Sequence, residues 1–144
     1  MKTILTLLIC FITLPSFAAE HVLDMLNKRA DGKRQVYSQD VLEIDVGDTV
    51  VWMPKSRGHN VEIKGAPVKV KFKSKLSKKT RFKFEKPGIY YYVCTPHQAL
   101  GMIGLVVVGK DISNIEKIRK VKVYGRSKGK MKKWLAKLEK KYAK

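Results

Sequence analysis

A mainly β sandwich, closed off by two C-terminal α-helices, is the fold this sequence predicts, and three observations carry the prediction. Short runs that alternate apolar with polar residues recur between 20 and 109. Turn residues divide them at the spacing of an all-β domain, with no helical pattern between. Beyond Gly109 the apolar period changes from two to 3.6. A chain of 144 residues suits one such domain, and 44% hydrophobic with 30% charged residues is enough apolar content for a packed core.

Met1-Lys2 is a short positive start, and Ile4 to Leu14 is an apolar run broken only by Thr6 and Thr13. Ser16-Phe17-Ala18, with Ala19 behind it, is a small-x-small site. That order is the layout of a secretory signal peptide, so 1–19 is expected to be removed by cleavage after Ala18 or Ala19. The run of about 11 residues is short of the roughly 20 that span a bilayer. Cys10 does not mark a lipid attachment site, because Ile9 stands where a small residue is needed.

Residues 20–109 then read as strands. Val41, Leu42, Ile44 and Val46 form one, ended by Gly47-Asp48, and Thr49 to Met53 the next, stopped by Pro54. Val68 to Phe72 alternates strictly between apolar residues and lysines, and Phe82 and Phe84 repeat the pattern beside Arg81 and Lys83. Period two of this kind marks a sheet with one buried and one wet face. Pro87-Gly88 is a turn, Ile89 to Cys94 a strand, and Ile103 to Val108 a last apolar strand. The expected arrangement is an antiparallel sandwich.

Residues 110–144 form a basic helical extension with 14 Lys+Arg and three acids. Asp111 or Ser113 is expected to cap a short helix reaching about Lys120. A second helix from about Ser127 places Met131, Trp134, Leu135, Leu138 and Tyr142 on one stripe among lysines. Docking of that stripe on the sandwich is favoured over a membrane surface, because a small sandwich has sheet face to cover.

The formal charge of +19 suggests nucleic acid, an anionic membrane or an acidic partner. Export excludes the first. It also removes Cys10 and leaves Cys94 alone in an oxidising compartment, where an unpaired thiol needs a reason. Cys94-Thr95-Pro96-His97-Gln98-Ala99-Leu100-Gly101-Met102 supplies one, joining a thiol, an imidazole and a thioether at a strand-to-strand connection. If Gly58-His59-Asn60 reaches the same end of the sandwich, two imidazoles and a thiolate meet, with Met102 as a weak axial ligand. Zinc is the competing metal, but structural zinc prefers four Cys/His donors and does not recruit Met. A Cys–His catalytic pair, with Asn60 to orient it, leaves His59 and Met102 idle. His21 is given no role.

In these residues the chain resembles the cupredoxins, the type 1 blue copper proteins, and among them the pseudoazurin group, with plastocyanin as second choice. Cys94-x2-His97-x4-Met102 is similar to the ligand loop those two groups share, and Val46-Gly47-Asp48-Thr49-Val50 is general to the family. Met25-Leu26-Asn27-Lys28, Gly58-His59-Asn60-Val61-Glu62, Phe72-Lys73-Ser74-Lys75 and the helical extension resemble the pseudoazurin group. Two features depart from its pattern: a short segment between Asn60 and Phe72, and the strong basicity of the extension.

The resemblance implies a cupredoxin Greek-key β-sandwich of about eight strands and one type 1 copper ion held by His59, Cys94, His97 and Met102. Asn60 matches the family residue whose backbone N–H bonds the thiolate, and Pro96 the residue that withholds a second N–H. The function implied is a periplasmic, monomeric electron carrier rather than an enzyme, exchanging electrons through the exposed His97 edge within a patch of Pro96, Ala99 and Leu100. Lys28, Lys55, Arg57, Lys75 and Lys78 are the candidates for steering acidic redox partners such as a cytochrome c, a copper nitrite reductase or another periplasmic reductase. Copper delivery and a membrane-surface module are the alternative functions. The first would call for Met- or His-rich clusters, which the sequence lacks; the second would rest on the basic extension.

Overall fold

Strands form where the period-two pattern finds a hydrogen-bonding partner, and the computed structural model, which describes residues 17–143, shows where it does not. Residues 1–16, most of the expected signal peptide and Cys10 with it, lie outside the described residues. Among the described residues there are eight strands: β1 Glu20–Lys28, β2 Arg34–Tyr37, β3 Val41–Ile44, β4 Thr49–Met53, β5 Glu62–Gly65, β6 Thr80–Lys83, β7 Gly88–Val93 and β8 Ile103–Val108. They make two four-stranded sheets, in the orders β2-β1-β4-β6 and β3-β8-β7-β5. Helices α1 Ile115–Arg119 and α2 Ser127–Tyr142 follow.

Three details differ from the sequence reading. The sheets are mixed, because β1 pairs with β4 and β3 with β8 in parallel. Such pairs join strands that are not neighbours in sequence, so alternation alone carries no sign of them. Val68 to Phe72 is not a strand. It runs beside the edge strand β5 with a single bridge, Glu62 to Lys73, and an Ile63 N–H bond to the Phe72 carbonyl at 3.0 Å. Val70 and Phe72 still pack on the core while Val68 stays exposed, so the alternation survives without a ladder. Finally, the residue before α1 is Asn114, and neither Asp111 nor Ser113 caps the helix. Asp111 instead accepts the Ser113 N–H at 2.7 Å, and the Asn114 side chain pairs with both backbone groups of Ile89, at 2.8 and 2.9 Å.

β7 and β8 are buried along their whole length. Tyr90, Tyr92, Val106 and Val108 face the sandwich core, with Trp52, Phe84 and Tyr37. Ile89, Tyr91, Val93, Ile103, Leu105 and Val107 face the other way, onto Ile115, Ile118, Met131, Trp134, Leu135 and Leu138. A strand covered on both faces reads as a continuous apolar run, as Ile103 to Val108 does. The stripe of α2 is therefore buried on the sandwich, each of its four core side chains contributing about 2 kcal/mol. At its far end Lys141 Nζ and the Tyr142 hydroxyl both donate to Glu43 on β3, at 2.6 and 2.7 Å.

Candidate metal centre

Cys94 immediately follows β7 and Met102 immediately precedes β8, so the hairpin carries both to one end of the sandwich. Between them Thr95–Leu100 forms a 3₁₀ helix, with Pro96 in its first turn, closed by Gly101 at φ 105. A positive φ of that size is open to glycine at little cost. Main-chain hydrogen bonds join Cys94, His97 and Met102 in a ring: His97 N–H to Cys94 O at 3.0 Å, Met102 N–H to His97 O at 3.2 Å, and Cys94 N–H to Met102 O at 3.0 Å.

His59 comes from the β4–β5 connection. Its carbonyl accepts the Ser77 N–H at 2.8 Å, and the Ser77 hydroxyl bonds the Gly58 N–H at 2.8 Å. Its ring is fully buried, with Nε2 2.8 Å from Asn27 Oδ1 at the end of β1. A carbonyl oxygen can only accept, so Nε2 carries the proton and the Nδ1 lone pair points inward. Asn27 is a functional residue that sequence reasoning missed as such, although it stands in one of the motifs that carry the family resemblance.

The inward atoms form a small triangle. His59 Nδ1 is 3.1 Å from His97 Nδ1, Cys94 Sγ is 3.4 Å from His97 Nδ1, and Cys94 Sγ is 3.7 Å from His59 Nδ1. A point equidistant from all three lies about 2 Å from each, the range of metal–imidazole bonds and slightly short for a metal–thiolate bond. Among the described residues this is the one His/Cys/Asp/Glu cluster able to hold a metal ion. Burial lowers the pKa of both imidazoles, and the neighbouring His97 lowers that of His59 further, so the surroundings favour the neutral, ligating form of each ring. Burial raises the pKa of the Cys94 thiol, and the backbone N–H groups of Asn60 and His97 oppose that rise. A buried thiol so disposed is a poor exposed nucleophile and gains most from a metal cation that takes its proton's place.

Asn60 ties the two loops. Its Oδ1 accepts the Thr95 N–H at 2.7 Å, its Nδ2 donates to Thr95 Oγ1 at 3.0 Å, and its carbonyl accepts the Tyr37 hydroxyl at 2.8 Å. Met102 is fully buried in the same core cluster as Cys94. Pro96, Ala99 and Leu100 are exposed beside a half-buried His97. Lys28, Lys55, Arg57, Lys75 and Lys78 are all exposed, and among the described residues none joins an ion pair, whereas Arg29, Lys33, Lys64, Lys73, Arg81, Lys83, Arg119 and Lys141 do. His21, given no role by its position in the sequence, bonds Asp48 at 2.8 Å.

The family described as copper binding proteins, plastocyanin/azurin family, matches residues 23–109, and the chain belongs to it. Within that class it is a cupredoxin most like pseudoazurin. It is 38% identical over 112 residues to the pseudoazurin of Methylorubrum extorquens, covering 76% of this chain and 75% of that one. It is 36% identical over 120 residues to the pseudoazurin of Paracoccus pantotrophus, covering 81% and 82%. The solved pseudoazurin of Sinorhizobium meliloti superposes with a TM-score of 0.78 at 35% identity, over 84% of this chain and 97% of the other. Cupredoxins bind one type 1 copper ion, and two imidazoles, a thiolate and a thioether are the donor set such an ion takes.

Proposed function

We propose that this blue-copper electron carrier works in the periplasm, after removal of residues 1–19, as a shuttle between larger redox proteins. Its domain would be 20–109, with 110–144 packed on it. His59, Cys94, His97 and Met102 are the ligands in this reading, and the observation that carries it is the triangle of His59, Cys94 and His97 donor atoms, two of them on buried residues, at one end of the sandwich. Bound copper supplies a Cu(II)/Cu(I) couple. The chain supplies the rest: a thiolate that favours Cu(II), a thioether that favours Cu(I), and a rigid frame that holds the imidazoles in place in either state. A frame that changes little between the two states would keep reorganisation small and transfer fast.

His97 is the residue through which electrons would enter and leave, since its ring sits at the exposed patch of Pro96, Ala99 and Leu100, whereas the His59 ring is buried. The five unpaired cations around that end give a field that attracts acidic partners and speeds encounter. A membrane-surface role for α2 fits less well, because Met131, Trp134, Leu135 and Leu138 are already buried against β7 and β8.

The test is spectroscopic. Copper-loaded protein should absorb intensely near ~600 nm and bleach with mild reductant, as a thiolate–Cu(II) site does; a colourless product would end the proposal. Transfer rates to an acidic redox partner should fall as ionic strength rises, and rates indifferent to salt would remove the steering role of the lysines.

A further inference from the structure

The N-terminal turn of α2 lies against the ligand loop. The Arg126 N–H donates to the Ala99 carbonyl at 2.9 Å, the Ser127 hydroxyl donates to the Gln98 carbonyl, and Lys130 Nζ donates to the Gly101 carbonyl at 2.6 Å. Three of the four carbonyls between His97 and Met102 are thus held from outside the loop. Ser127 is fully buried and Lys130 half-buried, so the two side-chain contacts are partly shielded from water. The approach is close: a Cβ on Gly125, whose φ is +51, would fall 2.3 Å from the Ala99 carbonyl oxygen. Only glycine lets the α1–α2 connection come so near the loop backbone.

These contacts bear on the donors because carbonyls at the end of a short helix have few partners inside it. Left to water, they would allow the loop several arrangements. Gly101 is bonded directly to Met102, and Met102 belongs to the main-chain ring that also contains Cys94 and His97. A displacement at Gly101 therefore passes to the Met102 N–H and to the His97 carbonyl it bonds.

We infer that Ser127 and Lys130 are positioning residues for the metal centre: α2 clamps residues 98–101 and thereby sets where His97 and Met102 present their donor atoms. The inference rests on the copper-site reading above. It gives part of the basic extension a task inside the molecule, with Lys130 acting as a hydrogen-bond donor more than as a surface charge.

The experiment compares Lys130→Met, Ser127→Ala and Lys130→Arg with Lys132→Met, which removes the same charge from the exposed side of α2. Two quantities are read: the relative intensity of the thiolate-to-copper bands in the Cu(II) form, and amide exchange at Gly101 and Met102 in the metal-free chain. Lys130→Met and Ser127→Ala should shift the band ratio. Lys130→Met should also speed exchange at Gly101 and Met102 by about tenfold, the loss expected of one charge-assisted hydrogen bond. Lys130→Arg, which keeps a donor, and Lys132→Met should match the unsubstituted protein in both. Unchanged bands and exchange in Lys130→Met, or an equal shift in Lys132→Met, would overturn the clamp. If the unsubstituted chain shows no thiolate–copper band, the site assignment fails and exchange alone decides the clamp.

Discussion

Tyr92 and Gly104 lie opposite each other on β7 and β8, and the Tyr92 ring fills the space where a side chain at 104 would stand. A Cβ built on Gly104 would fall 2.3 Å from the Tyr92 hydroxyl oxygen. The ring has nowhere to retreat, being packed edge-on against Tyr37 at 4.8 Å and Trp52 at 5.3 Å. Tyr37 in turn holds the Asn60 carbonyl. One glycine in an otherwise unbroken apolar strand thus admits the aromatic stack that supports the metal loops. Gly104→Ala should destabilise the metal-free protein by about 1–3 kcal/mol through overpacking. Urea denaturation measures it, and a midpoint equal to that of the unsubstituted chain would refute it.

Asn27 fixes the tautomer of His59 from the end of β1. In Asn27→Leu the Nε2 proton loses its acceptor, and Nδ1, the atom facing Cys94 and His97, competes for it. Metal affinity should then fall about 10–100-fold, measurable by competition with a chelator. Nitrogen NMR of the metal-free protein should show the His59 proton shared between the two nitrogens. Unchanged affinity together with an unchanged tautomer would refute the role assigned to Asn27.

The cluster of His59, Cys94 and His97 was legible because these residue types are rare here and two of the three share one short loop with Met102. Local spacing speaks for local geometry, and a strand-to-strand loop keeps Cys94, His97 and Met102 together whatever else the chain does. Asn27 was not legible as a partner of His59. The two meet only because β1 runs beside β4, a pairing between strands separated by β2 and β3, and asparagine is too common in turns to stand out. The misreading of Val68 to Phe72 has a different cause. Alternation reports which side chains face a core, and Val70 and Phe72 do face it; it does not report whether a second strand is there to complete the ladder. The cap of α1 shows competition for one side chain: Asn114 is bonded to the backbone of Ile89 and so is not free to close the helix. The stripe of α2 was read correctly, since a face of four large apolar residues needs a surface and β7–β8 offers one.

Pro96 follows Cys94 by two residues and has no N–H to offer the thiolate, whereas Asn60 and His97 direct theirs toward it. Pro96→Ala adds a donor at that point in the loop. A further hydrogen bond draws negative charge from the sulfur, which disfavours Cu(II) relative to Cu(I). The midpoint potential should rise, on the order of 60 mV if the added bond approaches 1.4 kcal/mol in a one-electron couple. Voltammetry of the two copper-loaded proteins tests it, and an unchanged or lower potential would count against the mechanism.

Asp48 anchors the start of β1 to the turn before β4, accepting the Ala19 N–H at 2.7 Å, His21 Nε2 at 2.8 Å and the Asp45 N–H at 3.1 Å. Burial pushes its carboxyl pKa up, but the bond from His21 and those from Ala19 and Asp45 outweigh burial, so the pKa lies below the ordinary carboxylate value. A pKa depressed by folding stabilises the native state above the unfolded value and ceases to do so as pH falls through the folded one. The loss should therefore appear below about pH 4. Asp48→Asn should cost about 2 kcal/mol at neutral pH and should make melting less steeply dependent on pH below 4. A chain that begins at Ala19 places an ammonium group on the same carboxylate, so it should melt higher than one that begins at Glu20, which lacks that donor. Acid profiles of equal slope with and without Asp48, and equal melting of the two N-terminal forms, would show that the first strand is held by its ladder alone.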